Sequence, residues 1–121
     1  MSTRSTDVWQ PLAAVAVGGV VGTGLRVLAD ALIPGVYSML VVNVVGSFAL
    51  GYLVARVWPT ASAWLKAGLG PGLLGSFTTF SALAVILVDL GLTLEGILYL
   101  VATLVLGLGA AYAGLRLGAR R

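Results

Sequence analysis

Cysteine and histidine are both absent from the 121-residue chain. It therefore holds no disulfide, no thiol nucleophile, no imidazole base and none of the commonest transition-metal ligands. That argues against hydrolytic and redox chemistry, and no enzyme activity is expected. Charge is also scarce: 9% of residues are Asp, Glu, Lys or Arg, against about 25% in an average soluble domain. Apolar residues make up 60% of the chain, accompanied by 17 glycines. A soluble core of this size could not enclose so much apolar surface. Because a bilayer crossing takes about 20 apolar residues, the length allows at most four or five crossings. No room is left for a separate catalytic domain, and no nucleic-acid partner is expected.

Charges and prolines divide the chain into four apolar stretches, Val8 to Leu32, Val36 to Trp58, Ala63 to Leu90 and Leu94 to Leu115,. Ile33-Pro34-Gly35, Trp58-Pro59-Thr60 and Gly91 with Thr93 mark short turns between them,. The pattern predicts an all-α membrane protein, a single domain over residues 1–121 with four transmembrane helices in an up-and-down bundle. Met1 to Gln10 reads as a cytoplasmic tail rather than a cleaved signal. Trp9, Tyr37, Trp58 and Trp64 fall near span ends, where amphipathic rings anchor at the headgroup level,.

Glycine in these spans is helical. Gly18, Gly22 and Arg26 share one face of the first span, and Gly107, Ala110, Gly114 and Gly118 share one of the fourth,. Such seams either let helices pack closely or are merely tolerated in lipid. The third stretch differs. At about 28 residues it would be about 42 Å long as one helix, well beyond a hydrocarbon core of about 30 Å. Gly70-Pro71-Gly72 and the run Gly75-Ser76-Phe77-Thr78-Thr79-Phe80-Ser81 are poor material for an uninterrupted helix,. A break at membrane depth is expected, and two readings of it are open: an ion-related role for the freed carbonyls, or simple kinked packing.

Several polar side chains lie inside the spans. Asn43 shares a face of the second span with Ser47 and Gly51, and its amide serves either as interhelical glue or as an anion donor. Tyr99 and Thr103 stand at i and i+4 in the fourth span and lead into its glycine face. Hydroxyl and amide donors without a carboxylate suit the path of a small anion better than a proton-coupled pump. Phe77 and Phe80 are three residues apart and can share a helix face. Their edges could stabilise a dehydrated anion, although the signal is weak and core packing is the ordinary role of phenylalanine in a membrane helix.

Three motifs in order carry a close resemblance to a known family. They are Gly18-Gly19-Val20-Val21-Gly22-Thr23-Gly24-Leu25-Arg26, Asn43-Val44-Val45-Gly46-Ser47-Phe48 with Gly51, and Gly72-Leu73-Leu74-Gly75-Ser76-Phe77-Thr78-Thr79-Phe80-Ser81. With the weaker match of Tyr99, Thr103 and Gly107, the chain resembles the Fluc/CrcB family of bacterial fluoride channels over nearly its whole length. The resemblance implies two antiparallel subunits around a structural sodium ion, held by main-chain carbonyls at Gly75 and Thr78. It further implies two narrow pores in which Asn43, Thr79, Phe80, Ser81, Tyr99 and Thr103 replace the hydration shell of fluoride. Fluoride would leave passively, having accumulated because hydrogen fluoride enters as a neutral acid and ionises inside. Gly18, Gly22, Gly107 and Gly114 are then the helix-packing positions.

The chain departs from the family pattern in three places. Leu83 stands where a second phenylalanine is typical, Ala82 precedes it where threonine is usual, and Thr103 replaces a serine. Charge adds a further point. Four crossings put Arg4, Arg56, Lys66, Arg116, Arg120 and Arg121 on one side, six of the seven cationic residues, and Arg26 on the other with Asp30, Asp89 and Glu95. Excess Lys and Arg in short loops stay cytoplasmic, so both termini are expected inside a bacterial inner membrane. An antiparallel homodimer needs both orientations, so a paralogous partner of opposite orientation is favoured. Two rivals remain: an accessory, non-conducting subunit, and a small multidrug-type transporter. The transporter would need a membrane-embedded carboxylate, whereas Asp30, Asp89 and Glu95 lie near span ends,.

Overall fold

A computed structural model describes residues 6–120. Arg4 and Arg121, which enter the charge comparison above, lie outside the described residues. The chain forms α1 (Thr6–Leu32), α2 (Val36–Arg56), α3 (Ala63–Ala67), a π-helix (Gly68–Leu74), α4 (Gly75–Phe77), α5 (Ser81–Leu90) and α6 (Leu94–Ala119). Four spans, Val8–Leu32, Val36–Arg56, Ala63–Leu90 and Leu94–Ala119, are long and apolar enough to cross a membrane. Two boundaries differ from the sequence expectation. The second span ends at Arg56 because the Val57 and Trp58 amides both turn onto the Leu53 carbonyl, at 2.9 and 2.8 Å. The fourth continues to Ala119, where Gly118 still packs on Tyr52 and Ala55.

Turn chemistry sets the connections. Gly35, with φ 62° and ψ −140°, precedes α2, and Gly91, with φ 66° and ψ −163°, follows α5. A side chain would strain both positions. Thr93 joins the last two spans: its hydroxyl donates to the Leu90 carbonyl at 2.8 Å and accepts from the Gly96 amide at 3.1 Å. The same side chain thus closes one helix and caps the next.

The spans alternate in direction and pack in non-consecutive, parallel pairs, α1 with the third span and α2 with α6. Missing Cβ atoms make both pairings possible. On α1, a Cβ at Gly18 would run into the Gly68 carbonyl and one at Gly22 into the Leu73 carbonyl. A Cβ at Gly51 would strike the Ala111 carbonyl of α6, and one at Gly114 the Phe48 carbonyl of α2. In lipid, where apolar burial does not drive association, such close backbone approach is the main source of adhesion. Val20, Val88 and Leu108 are 74%, 80% and 72% exposed, as faces turned to lipid or to another chain must be.

The third span is built from pieces. Pro71 has no amide proton and would break an α-helix. The wider π-helix around it accommodates the gap, and the Gly75 amide reaches the Gly70 carbonyl,. After α4 the backbone of Thr78 is extended, at φ −85° and ψ 160°, and helix resumes at Ser81.

Charged side chains collect at the two ends. Arg56 donates from Nη1 to the Arg120 carbonyl at 3.0 Å, Lys66 follows the short turn after α2, and Arg116 lies over the Tyr112 ring, 5.8 Å from its centre. At the other end Arg26 stands 4.0 Å from Asp30, and the buried Ser38 hydroxyl donates to the same carboxylate.

Candidate functional site

The extended segment at Thr78–Phe80 is held in place by α2. Asn43 Oδ1 accepts from the Thr79 amide at 3.0 Å, and Asn43 Nδ2 donates to the Thr79 carbonyl at 3.2 Å. One side-chain amide therefore satisfies both main-chain groups of a residue 36 positions away. One turn along α2, Gly46 makes room for the pairing: a Cβ there would occupy the place of the Thr78 Cγ2 methyl. Asn43-x-x-Gly46 is thus one device, an amide to pair the segment and a gap to seat it. The sequence showed both residues but not their target.

Two carbonyls lose their helical donors as a result. In an unbroken helix the Thr79 amide would bond the Gly75 carbonyl and the Ala82 amide the Thr78 carbonyl. Here Thr79 N–H goes to Asn43, and Ala82 N–H goes to Thr79 Oγ1 at 3.2 Å. Thr79 Oγ1 also lies 3.1 Å from Ser81 Oγ, so one of these two hydroxyls donates to the other. The Leu74 carbonyl is engaged twice, accepting the Thr78 amide at 2.9 Å and the Thr78 hydroxyl at 2.8 Å.

Beside this segment runs a groove of ≈740 Å³ between α2, the third span and α6. Asn43, Ser47, Thr78, Thr79 and Thr103 give it a polar side, Phe80 and Leu83 an apolar one, and no charged side chain lines it. Gly107 belongs to its wall. The Ser47 hydroxyl is the nearest group to a Cβ built there, at 3.7 Å, so this glycine widens the groove, whereas Gly18, Gly22 and Gly114 close helix contacts. Leu83, the residue at the expected ring position, is 5% exposed and packs into the groove wall. Trp58 lines the far end against Gly70, a role that its reading as a headgroup anchor did not include.

The remaining candidates separate. Phe80 is 80% exposed and borders the groove. Phe77 belongs to α4 and approaches Gly46. The extended Thr78 between them removes the shared helix face that their spacing predicted. Thr103 lines the groove, but its hydroxyl donates back to the Tyr99 carbonyl at 2.8 Å. The Tyr99 hydroxyl donates to the Val36 carbonyl at 2.8 Å. Each hydroxyl has one proton, so those of Tyr99 and Thr103 are both committed to main-chain carbonyls.

Comparison with known proteins agrees with this architecture. The model of the family described as CrcB-like protein, Camphor Resistance (CrcB), matches residues 13–115. A Rhodococcus jostii (strain RHA1) protein named Fluoride-specific ion channel FluC 1 is 45% identical over 116 residues, covering 96% of this chain and 91% of the relative. Fluoride-specific ion channel FluC 2 of Halalkalibacterium halodurans is 38% identical, covering 90% of this chain and 86% of its own. Fluoride-specific ion channel FluC of Agrobacterium fabrum is 39% identical, covering 88% and 94%. With four apolar spans and a family match over most of its length, the chain is a multi-pass membrane protein and belongs to the Fluc/CrcB family.

Proposed function

We propose that this chain is a subunit of a passive fluoride channel of the inner membrane and that the groove beside Thr78–Phe80 is its conducting surface. The observation that carries the reading is a mostly apolar groove between the spans whose polar groups are the amide and hydroxyls of Asn43, Ser47, Thr78, Thr79 and Thr103, with no charged side chain. An anion as strongly hydrated as fluoride needs donors to replace its water, and they must bind it loosely enough for it to leave again. Asn43 has a second Nδ2 proton beyond the one given to Thr79,. The Thr79 and Ser81 pair uses one of its two hydroxyl protons internally. Asn43 and Thr79, with the exposed ring of Phe80, line the groove and are the primary fluoride ligands, and Ser81 acts beside them through its bond with Thr79. Tyr99 serves the pathway by holding α6 to α2, and Thr103 lines the groove with its hydroxyl closed onto its own helix. An inside-negative potential of about 100 mV drives a monovalent anion outward by about 2.3 kcal/mol, so export requires no coupled ion.

The carbonyls of Gly75 and Thr78, relieved of helical donors as described, fit a structural sodium ion. Each subunit of an antiparallel dimer would contribute both, and hard oxygen ligands of that kind suit an alkali cation. Held by these carbonyls, a sodium ion would supply a fixed positive charge between the two interrupted spans. Among the described residues Arg56, Lys66, Arg116 and Arg120 sit at one end and Arg26 at the other. That asymmetry orients nearly every copy the same way and favours a paralogous partner of opposite orientation over an identical one. The experiment is fluoride efflux from liposomes followed with a fluoride electrode, for this chain alone and with a paralogous candidate. Efflux of fluoride but not chloride supports the channel. Efflux from the chain alone as fast as from the mixture rejects the obligate partner, and none from either rejects conduction.

A further inference from the structure

The Asn43 amide is bonded to the main chain of the third span more fully than an anion ligand requires. It replaces both helical partners of Thr79: its Oδ1 stands in for the Gly75 carbonyl, and its Nδ2 for the Leu83 amide four residues on,. Remove this side chain and the cheapest repair for the Thr79 amide is to fall back on the Gly75 carbonyl, because an unpaired amide in an apolar surrounding is costly. That repair would consume one of the two oxygens assigned to the cation. The Thr78 carbonyl is protected separately, by the Thr79 hydroxyl capping the Ala82 amide.

We infer that Asn43 is a positioning residue for the cation site: by pairing with Thr79 it keeps the Gly75 carbonyl free, and so couples cation binding to the anion groove. The inference rests on the sodium reading of Gly75 and Thr78. Asn43 does not touch the ion. It acts through the backbone of Thr79, while its remaining Nδ2 proton belongs to the groove. A change at Asn43 therefore alters two properties at once, the sodium affinity of the assembly and the handling of fluoride.

The experiment is thermal unfolding of the purified channel in detergent across a sodium series, with potassium replacing sodium at constant chloride. A ligand that binds the folded state raises Tm with a concentration dependence set by its affinity. Wild type is expected to show a sodium-specific rise. Asn43→Ala, and Asn43→Ser if alanine does not fold, should need at least tenfold more sodium for half the rise. Met39→Ala, a core truncation on the same helix, should lower Tm with the half-saturating sodium concentration unchanged. That contrast separates positioning from general destabilisation. An Asn43 variant with the wild-type sodium dependence overturns the positioning role and leaves the sodium reading intact. A wild type indifferent to sodium overturns the cation site itself. If neither Asn43 variant folds, the same series on Gly46→Ala, which crowds the Thr78 methyl, decides: an unchanged half-saturation overturns the inference and a weakened one supports it.

Discussion

The Tyr99 hydroxyl donates to the Val36 carbonyl at 2.8 Å, tying the second turn of α6 to the first turn of α2 across 63 residues. Its one proton is therefore spent on a helix contact. Tyr99→Phe should cost about 0.6 kcal/mol, the average for such bonds between membrane helices, and should leave fluoride efflux within a few-fold of wild type. Efflux from reconstituted variants checks this. A loss as large as that of Asn43→Ala would return Tyr99 to the list of fluoride ligands.

The seam between α2 and α6 depends on absent side chains. Gly114→Val forces a branched side chain against the Phe48 carbonyl and should destabilise by about 1 to 3 kcal/mol, the usual range for overpacking. Gly24 has nothing within 4 Å of a built Cβ, so Gly24→Ala should be neutral or stabilise by up to about 1 kcal/mol through helix propensity. Unfolding in detergent of the two variants side by side gives the comparison. Equal losses would contradict the close-approach account of the seam.

Much of the fold was legible because a bilayer imposes a length on apolar segments. The first and third spans lie where hydropathy and the prolines placed them, and Gly35 and Gly91 fall at turns. Helix pairing was less legible. Every span is apolar on most faces, so no stripe points to a neighbour. Gly18 and Gly114 announce a contact without saying with which helix. The site was legible in composition and not in geometry. Asn43 and the polar run at Gly75–Ser81 stand out in the sequence, yet their pairing joins residues 36 apart through a side chain. The shared face expected for Phe77 and Phe80 failed for a local reason: spacing by three predicts a common face only inside a helix, and Thr78 is extended.

Leu83 contributes packing where the family pattern has a ring. At 5% exposure, Leu83→Ala should lose about 2 to 5 kcal/mol, as core truncations do, and widen the groove beside Phe80. Thermal unfolding and the fluoride-to-chloride efflux ratio read the two effects separately. Unchanged stability would mean that the side chain is not packed within the protein.

The absence of cysteine makes topology directly measurable. Thr60 lies in the exposed turn after α2, and Leu92, 99% exposed, in the turn before α6. In intact cells a membrane-impermeant thiol reagent should label Leu92→Cys and spare Thr60→Cys in nearly every copy, as the cation asymmetry dictates. Comparable labelling of both from outside would mean dual insertion, and with it an antiparallel homodimer.

Conduction through the groove can be tested with one side chain. Ser47 lines it beside Gly107, and Ser47→Cys places a single thiol in an otherwise cysteine-free chain. In liposomes carrying this variant with its partner, fluoride efflux should proceed before treatment and stop when the thiol is modified by a methanethiosulfonate reagent. Efflux that continues unchanged after complete modification, verified by mass, would contradict the account.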